Sequence, residues 1–289
     1  SADLLILNNK SIGISISDLS EEESINIGQS KNHLVQLSQD MARHLLARKA
    51  ILVYGGDLRK GGFTKFIFTE AKILPDNIHI NNYIAWPIYK KDSEAIKEWK
   101  AKYRRVASMK EIGPSKDVRD LIINEDEGLL PEGVEDMFVR SRCLSEMRNV
   151  MIENCNIRIC AGGKHFGYSG KMPGVLEEMI ISIKMNKPLF LLGGFGGVTA
   201  SICQLIENRV VPQKLTLEWQ IENNKNYKKL LAFSKVRSQN YEEEYASFID
   251  LFNFNNLRNG LNQDDNIRLF NTPFIDEALH LIFKGIKSL

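Results

Sequence analysis

Short apolar runs alternate with amphipathic stretches along the first two thirds of the chain. In the stretch His33–Ala47, the apolar positions 34, 35, 37, 41, 42, 45 and 46 recur with the period of a helix. This alternation favours an α/β fold, a Rossmann-like parallel sheet flanked by helices. The predicted strands are Ser11–Ser17, Ala50–Tyr54, Tyr83–Ile88, Ile157–Cys160 and Pro188–Leu192. The predicted helices are His33–Ala47, Gly62–Lys72, Met137–Glu153 and Gly174–Met185.

Two regions depart from this alternation. Residues 90–119 carry ten Lys or Arg against five Asp or Glu, and residues 120–136 carry seven acids and no base. These blocks indicate a solvated charged insertion at about 90–136, as two exposed surfaces or as blocks in mutual contact. Residues 211–289 are mainly helical, most clearly at Glu242–Phe252 and Ile275–Leu289. We expect a Rossmann-like domain over 1–210 and a helical extension over 211–289 packed on it.

Composition narrows the class of protein. Lys and Arg number 38 and Asp and Glu 36, a net charge of +2 that disfavours a nucleic-acid binder. Cys143, Cys155, Cys160 and Cys203 show no zinc-finger spacing, so we expect reduced thiols, mostly in the core of a cytoplasmic protein. The uncharged stretch Pro188–Ile206 contains four glycines, which indicate a strand, a turn and a helix start rather than a membrane span.

Glycine pairs follow three of the predicted strands. They are Gly55 with Gly56, Gly162 with Gly163, and Gly193 with Gly194. In an open parallel sheet, ligands bind at the carboxyl ends of the strands, where glycine allows the backbone to approach a phosphate. The pattern predicts a phosphate- or nucleotide-binding rim, which Gly196 and Gly197 extend after the third of these strands.

The first glycine loop carries both charged and helix-starting residues. It is neither a P-loop nor a dinucleotide fingerprint, because the Gly-Lys-Ser/Thr end and the GxGxxG spacing are absent. Its alternative interpretation is a solvated tight turn. If it binds phosphate, the candidate contacts are Gly55, Gly56, Asp57, Arg59, Gly61, Gly62 and Thr64.

The second glycine loop leads into a helix with two acids near its start. Glu177 and Glu178 could bind ribose hydroxyls or activate a water at the ribose C1′ atom, or could simply complement the helix dipole. We also expect ligand contacts from Gly162, Gly163, Lys164, Lys171, Pro173 and Gly174.

The helix before that loop contributes candidate cations. Arg148 lies near its apolar face, where an arginine needs an anionic partner, either Glu177 or a ligand phosphate. Arg142 is a second candidate ligand contact. No Ser-His-Asp spacing and no convincing metal cluster is evident.

At these residues the chain resembles the SLOG superfamily, the Rossmann-like group that contains the LOG cytokinin-activating phosphoribohydrolases and sensor domains of prokaryotic conflict systems. Val53–Gly56 looks like the first glycine turn of the LOG proteins, and Pro173–Glu178 looks like the tail of their PGGxGTxxE motif, with Glu178 as its acid. The resemblance covers about residues 10–210. Lys171 and Met172 replace the double glycine, and Met147 takes the place of the motif arginine, so the sensor branch fits better.

The resemblance implies a nucleotide-binding protein, a sensor of a nucleotide or an ADP-ribose-type ligand in antiphage defence, with no required cofactor. It also implies a homo-oligomer and an effector protein as partner. One alternative is an N-glycosidase, either a phosphoribohydrolase of nucleoside monophosphates or a deoxyribosyltransferase-like enzyme. There Glu178, with Glu177 beside it, would be the acid/base and Arg148 would hold the phosphate. A second alternative is a non-catalytic scaffold of a conflict system.

Overall fold

Six parallel strands form one sheet within residues 6–28, 31–55 and 63–289, the part of the chain that the computed structural model describes. Their spatial order is β4-β3-β2-β1-β5-β6. The order runs one way from β1 to β4 and the other way from β1 to β6, so it reverses between β1 and β5. The bounds are β1 Ser11–Ser17, β2 Ile51–Tyr54, β3 Ile80–Ala85, β4 Ala107–Ile112, β5 Ile157–Gly162 and β6 Leu189–Leu192.

Helices connect and cover the strands. Those up to β6 are α1 Glu21–Asn26, α2 Lys31–Ala47, α3 Phe63–Lys72, α4 Ile88–Lys91, α5 Ser93–Tyr103, α6 Val134–Glu153 and α7 Gly174–Lys184. After β6 come α8 Gly197–Asn208, α9 Leu217–Asn223, α10 Tyr227–Val236, α11 Tyr241–Ser247, α12 Phe254–Leu257, α13 Gln263–Asn271 and α14 Ile275–Lys287. The predicted Rossmann-like α/β fold is therefore confirmed.

The charged region departs from the sequence analysis. Residues 93–112, predicted as part of a solvated insertion, instead form the crossover helix α5 and the edge strand β4, which pairs with β3 along its length. Ile96, Tyr103 and Val106 are buried beneath the exposed charges. The charge blocks meet at one point, where Arg119 Nη2 lies 3.7 Å from Glu125 Oε1. The basic residues at 93–112 therefore belong to a helix and a strand of the α/β fold itself.

The apolar core extends across the predicted boundary at residue 210. One buried cluster joins Ile12 of β1, Leu52 of β2 and Leu37 of α2 with Leu281 and Ile282 of α14. A second joins β5, β6, α7 and α8 with aromatic residues of the C-terminal helices. The C-terminal helices thus complete the packing on the sheet, and the two-part division stays a prediction.

The cysteines and the uncharged stretch have simple structural roles. All four cysteines are free and buried, as expected for core residues. The stretch Pro188–Ile206 forms β6, a turn and the start of α8. Among the described residues, no helix combines the length and apolarity needed to cross a bilayer.

Candidate functional site

A cleft of about 350 Å³ opens at the carboxyl ends of β1, β2 and β3, beside the point where the strand order reverses. This is where open α/β sheets bind ligands, and the volume falls within the roughly 300–1,000 Å³ of small-molecule pockets. The polar or charged lining residues are Ser15, Ser17, Asp18, Arg148, Lys164, Tyr168, Ser169 and Glu178, and the aromatic ones besides Tyr168 are Tyr54, Phe63, Tyr83 and Phe166.

The cleft brings together some of the sequence-predicted residues. They come from the end of β2, from α6, from the loop after β5 and from the start of α7, and they are Gly55, Arg148, Lys164, Gly174 and Glu178. Of the first glycine loop, Gly56, Asp57, Arg59, Gly61 and Gly62 lie outside the described residues. Thr64 is buried at the start of α3 and is not part of the lining.

Glu178 is the carboxylate of α7 that reaches the cleft. Its Oε1 accepts a hydrogen bond from Nη2 of Arg158 at 3.2 Å, and the same Nη2 donates to Ser15 Oγ at 2.6 Å. The Arg158 side chain is fully buried on the interior strand β5, whereas Glu178 is 14% exposed. Glu178 is therefore the counter-ion of a buried guanidinium as well as a wall of the cleft.

A glycine on the neighbouring strand creates the space for that guanidinium. A Cβ atom on Gly13 of β1 would overlap Nη1 of Arg158 and lie 2.7 Å from Sγ of Cys155. Gly13 pairs directly with Arg158 in the sheet register. The sheet accommodates the charged side chain of Arg158 because Gly13 beside it has no side chain.

Glu177 faces the protein interior and is not part of the cleft lining. Its carboxylate accepts hydrogen bonds from Ser145 Oγ at 2.7 Å and Arg148 Nη1 at 2.8 Å, and Lys171 Nζ lies 3.6 Å away. Burial alone would raise the pKa of Glu177, but Arg148, Lys171 and Ser145 together hold it below its ordinary value. Arg148 thus has the structural partner that the sequence analysis considered, while still lining the cleft.

Two predicted cations are held by protein carboxylates away from the cleft lining. Arg142 Nε donates to Asp117 Oδ2 at 2.8 Å. Lys171 Nζ donates to Glu244 Oε2 of α11 at 2.5 Å, which ties the second glycine loop to the C-terminal helices. Both residues therefore bind protein carboxylates in this structure rather than facing the cleft.

The other glycine positions pack against protein backbone. A Cβ atom on Gly193 or Gly194 would overlap the carbonyl oxygen of Phe270 or of Thr272, respectively. Gly197 has a φ of +68°, and its Cβ would lie 2.6 Å from the carbonyl carbon of Gly162. Close packing of chain segments explains these glycines, and Gly162, Gly163, Pro173, Gly193, Gly194, Gly196 and Gly197 are outside the cleft lining.

His165 anchors the loop that forms one side of the cleft. Its Nδ1 lies 2.5 Å from Glu23 Oε1 and its Nε2 lies 2.8 Å from Ser201 Oγ. Burial alone would raise the pKa of Glu23, but His165 and Lys214 lower it below its ordinary value. The sequence analysis missed this acid–histidine–serine chain because its members are distant in sequence. None of these three residues lines the cleft, and Ser201 lies within α8. Their hydrogen bonds therefore anchor the loop that follows β5.

Sequence reasoning also missed Ser15, Asp18 and Arg158. Ser15 lies within β1 and Asp18 comes directly after it, and no glycine pair marks this strand end. Arg158 interrupts the apolar run of the predicted strand β5. A charged residue within an otherwise apolar strand was the signal available, because a buried charge requires a counter-ion.

Comparisons with known proteins place the chain in a family. A family model described as SLOG cluster2 matches residues 6–269. No curated protein matches the chain. Among solved structures, the X-ray structure of TM1055, a Northeast Structural Genomics Consortium target, is 14% identical, with a TM-score of 0.41 over 79% of this chain and 99% of that chain. On the family match, which covers most of its length, this chain belongs to the SLOG cluster2 family.

Proposed function

We propose that this chain binds a nucleotide or an ADP-ribose-type ligand in the cleft and acts as a sensor of that ligand. One observation carries the proposal: the cleft lies at the strand-order reversal and is lined by two cations, two carboxylates and a helix start. Cations and helix N-termini favour phosphate, and a carboxylate accepts hydrogen bonds from ribose hydroxyls. Membership of the SLOG family supports the same class of ligand.

Each part of the ligand has a candidate partner. Lys164 is exposed at the rim, and among the described residues it makes no ion pair, so it is available to a phosphate. Arg148, whose side chain is 14% exposed, and Gly174 at the start of α7 also line the cleft. Glu178 keeps carboxylate lone pairs for hydroxyl groups in addition to its bond with Arg158.

The pairing of Glu178 favours a binding role over acid/base catalysis. A general acid gives up and takes back a proton, and a protonated Glu178 would leave Arg158 without the carboxylate that compensates its charge. A carboxylate that only accepts hydrogen bonds avoids this cost. The N-glycosidase remains the second candidate function, since Glu178 does reach the cleft.

The test uses purified protein with AMP, IMP, NAD, ADP-ribose and cyclic ADP-ribose isomers. We expect at least one of them to raise the melting temperature by about 5 °C when it is present at about 100 times its Kd, and to remain intact by chromatography. We expect Lys164→Ala to weaken this shift, because it removes the rim cation. Lys97→Ala on α5 is the matched control, since its side chain is 74% exposed and lies outside the cleft lining.

The outcomes separate the candidate functions. Free base that appears with the wild type and disappears with Glu178→Gln would establish an N-glycosidase and overturn the sensor. No shift with any of these compounds would overturn the binding proposal and favour the scaffold.

A further inference from the structure

The aromatic side chains of the cleft differ sharply in how much of each ring a ligand could contact. Tyr54 and Tyr83 are each 6% exposed and Phe63 is 4% exposed, so these rings are already covered by the protein. Phe166 is 43% exposed although it lines the same cleft. Tyr168 has intermediate exposure.

The partly exposed Tyr168 is held by other residues. Its hydroxyl donates to Gln220 Oε1 at 2.5 Å, and its ring packs edge-on against Tyr227 at a centroid distance of 5.7 Å. Phe166 has no polar group that could fix it in this way. Phe166 is therefore the aromatic lining residue with substantial free ring surface in the described part of the cleft.

The backbone around Phe166 is firmly anchored. Exposure alternates along this segment, with Lys164 and Phe166 exposed and His165 buried between them. The His165 ring contacts Glu23 and Ser201. The backbone carbonyl oxygen of His165 accepts a hydrogen bond from Gln220 Nε2 at 2.9 Å. The anchor directs His165 into the protein and leaves its two neighbours at the cleft.

A second aromatic residue supports the ring of Phe166. Trp219 of α9 packs edge-on against Phe166, with a centroid distance of 6.1 Å and an interplanar angle of 66°. Trp219 also contacts the His165 ring at 6.4 Å. Phe166 is thus fixed on one side by the C-terminal helices and open on the other.

We propose that Phe166 is the stacking surface for the base of the bound nucleotide, with His165 as the positioning residue that presents it. This inference rests on the proposed function and names the part of the ligand that Phe166 contacts. An exposed ring at a ligand cleft stacks on the π-face that every base has. Stacking of this kind depends on the presence of a base and only weakly on its identity, so Phe166 selects nucleotides over base-free sugar phosphates.

The test compares AMP with ribose 5-phosphate, which lacks the base, by titration calorimetry at constant ionic strength. We expect the wild type to bind AMP about 5- to 150-fold more tightly than ribose 5-phosphate. We expect Phe166→Ala to lower AMP affinity by a similar factor and to leave ribose 5-phosphate affinity unchanged. GMP, CMP and UMP should show the same loss in Phe166→Ala wherever the wild type binds them.

Three further variants make the result specific. Phe166→Leu keeps apolar contact with Trp219 but removes the π-face, so it should lose most of the preference for AMP. Phe274→Ala is the matched control, because Phe274 is 69% exposed and lies outside the cleft lining. His165→Ala should reduce the preference for AMP while retaining ribose 5-phosphate binding.

The inference and the proposed function fail in distinguishable ways. If the wild type binds none of these nucleotides, nor NAD or ADP-ribose, the proposed function fails and this inference fails with it. If the wild type binds AMP but Phe166→Ala binds it equally well, or loses AMP and ribose 5-phosphate to the same extent, only the stacking role is overturned.

Discussion

At the scale of single residues, the fully buried guanidinium of Arg158 holds Ser15 and Glu178, two residues that line the cleft. Removing such a charge from water is costly, and pairing offsets the cost only where hydrogen bonds are well placed. Arg158 bonds to Ser15 and Glu178, yet its Nε has no hydrogen-bond partner among the described residues. This arrangement adds little net stability, but it makes each partner costly to remove alone.

The pair can be tested by a double-mutant cycle. We expect Glu178→Gln alone to lower the free energy of unfolding by about 3 kcal/mol, because it leaves the Arg158 charge without its carboxylate. The double variant Arg158→Met with Glu178→Gln should be less destabilised than the sum of the single variants by at least about 1 kcal/mol. Urea denaturation at pH 7 measures the free energy of unfolding of Glu178→Gln, Arg158→Met and the double variant.

An exposed ion pair provides the control for this cycle. Glu94 and Lys97 lie 3.7 Å apart with side chains 87% and 74% exposed, so Glu94→Gln should cost no more than about 1 kcal/mol. Strict additivity of the Arg158 and Glu178 substitutions would contradict the assigned coupling.

At the scale of elements, the sequence predicted five of the six described strands because each is a short apolar run. The edge strand β4 was missed because Lys110 and Glu111, which are both exposed, interrupt its sequence, ASMKEI, so that it shows no such run. The glycine pairs were predicted as one class, but only the tertiary packing separates Gly55 at the cleft from Gly193 and Gly194 beneath the C-terminal helices. The local sequence indicates where a glycine is needed, but it does not show which part of the folded protein lies against that glycine.

The packing role of the third glycine pair gives a direct prediction. Gly194→Ala should destabilise the protein by about 1–3 kcal/mol, because its Cβ would overlap the Thr272 backbone and displace the segment that follows α13. Gly113→Ala is the matched control, since nothing lies within 4 Å of its Cβ position. Thermal unfolding compares the two variants with the wild type. Equal stability of both variants would contradict the packing role. Lost nucleotide binding in Gly194→Ala without lost stability would restore a ligand role for this pair.

At the scale of the whole molecule, ion pairs connect helices that flank the sheet with the C-terminal helices. Glu177 of α7 contacts Arg148 of α6 and Lys171 of the second glycine loop, and Lys171 also contacts Glu244 of α11. A series of three ion pairs therefore links α6, α7, the second glycine loop and α11, and the buried carboxylate of Glu177 takes part in two of them. We therefore expect the protonation state of Glu177 to affect the stability of the whole protein.

Stability should depend on pH through Glu177. Its pKa in the folded state lies below the ordinary value of 4.5, so its contribution is present above pH 4.5 and is lost as the pH falls through the folded value. At pH 7 we expect Glu177→Gln to be about 3–5 kcal/mol less stable than the wild type. This difference should narrow steadily below pH 4.5 in urea unfolding curves. A difference that stays constant down to pH 3 would show that the carboxylate charge is not what stabilises the junction.

The close fit between Gly13 and Arg158 also limits how this family can diverge. A larger residue at position 13 is tolerated only after the side chain at 158 has become smaller, and a shorter side chain at 158 leaves Glu178 without its counter-ion. Positions 13, 158 and 178 are therefore expected to change together or not at all among relatives. A relative that lacks the buried arginine is therefore expected to lack the carboxylate at position 178 as well.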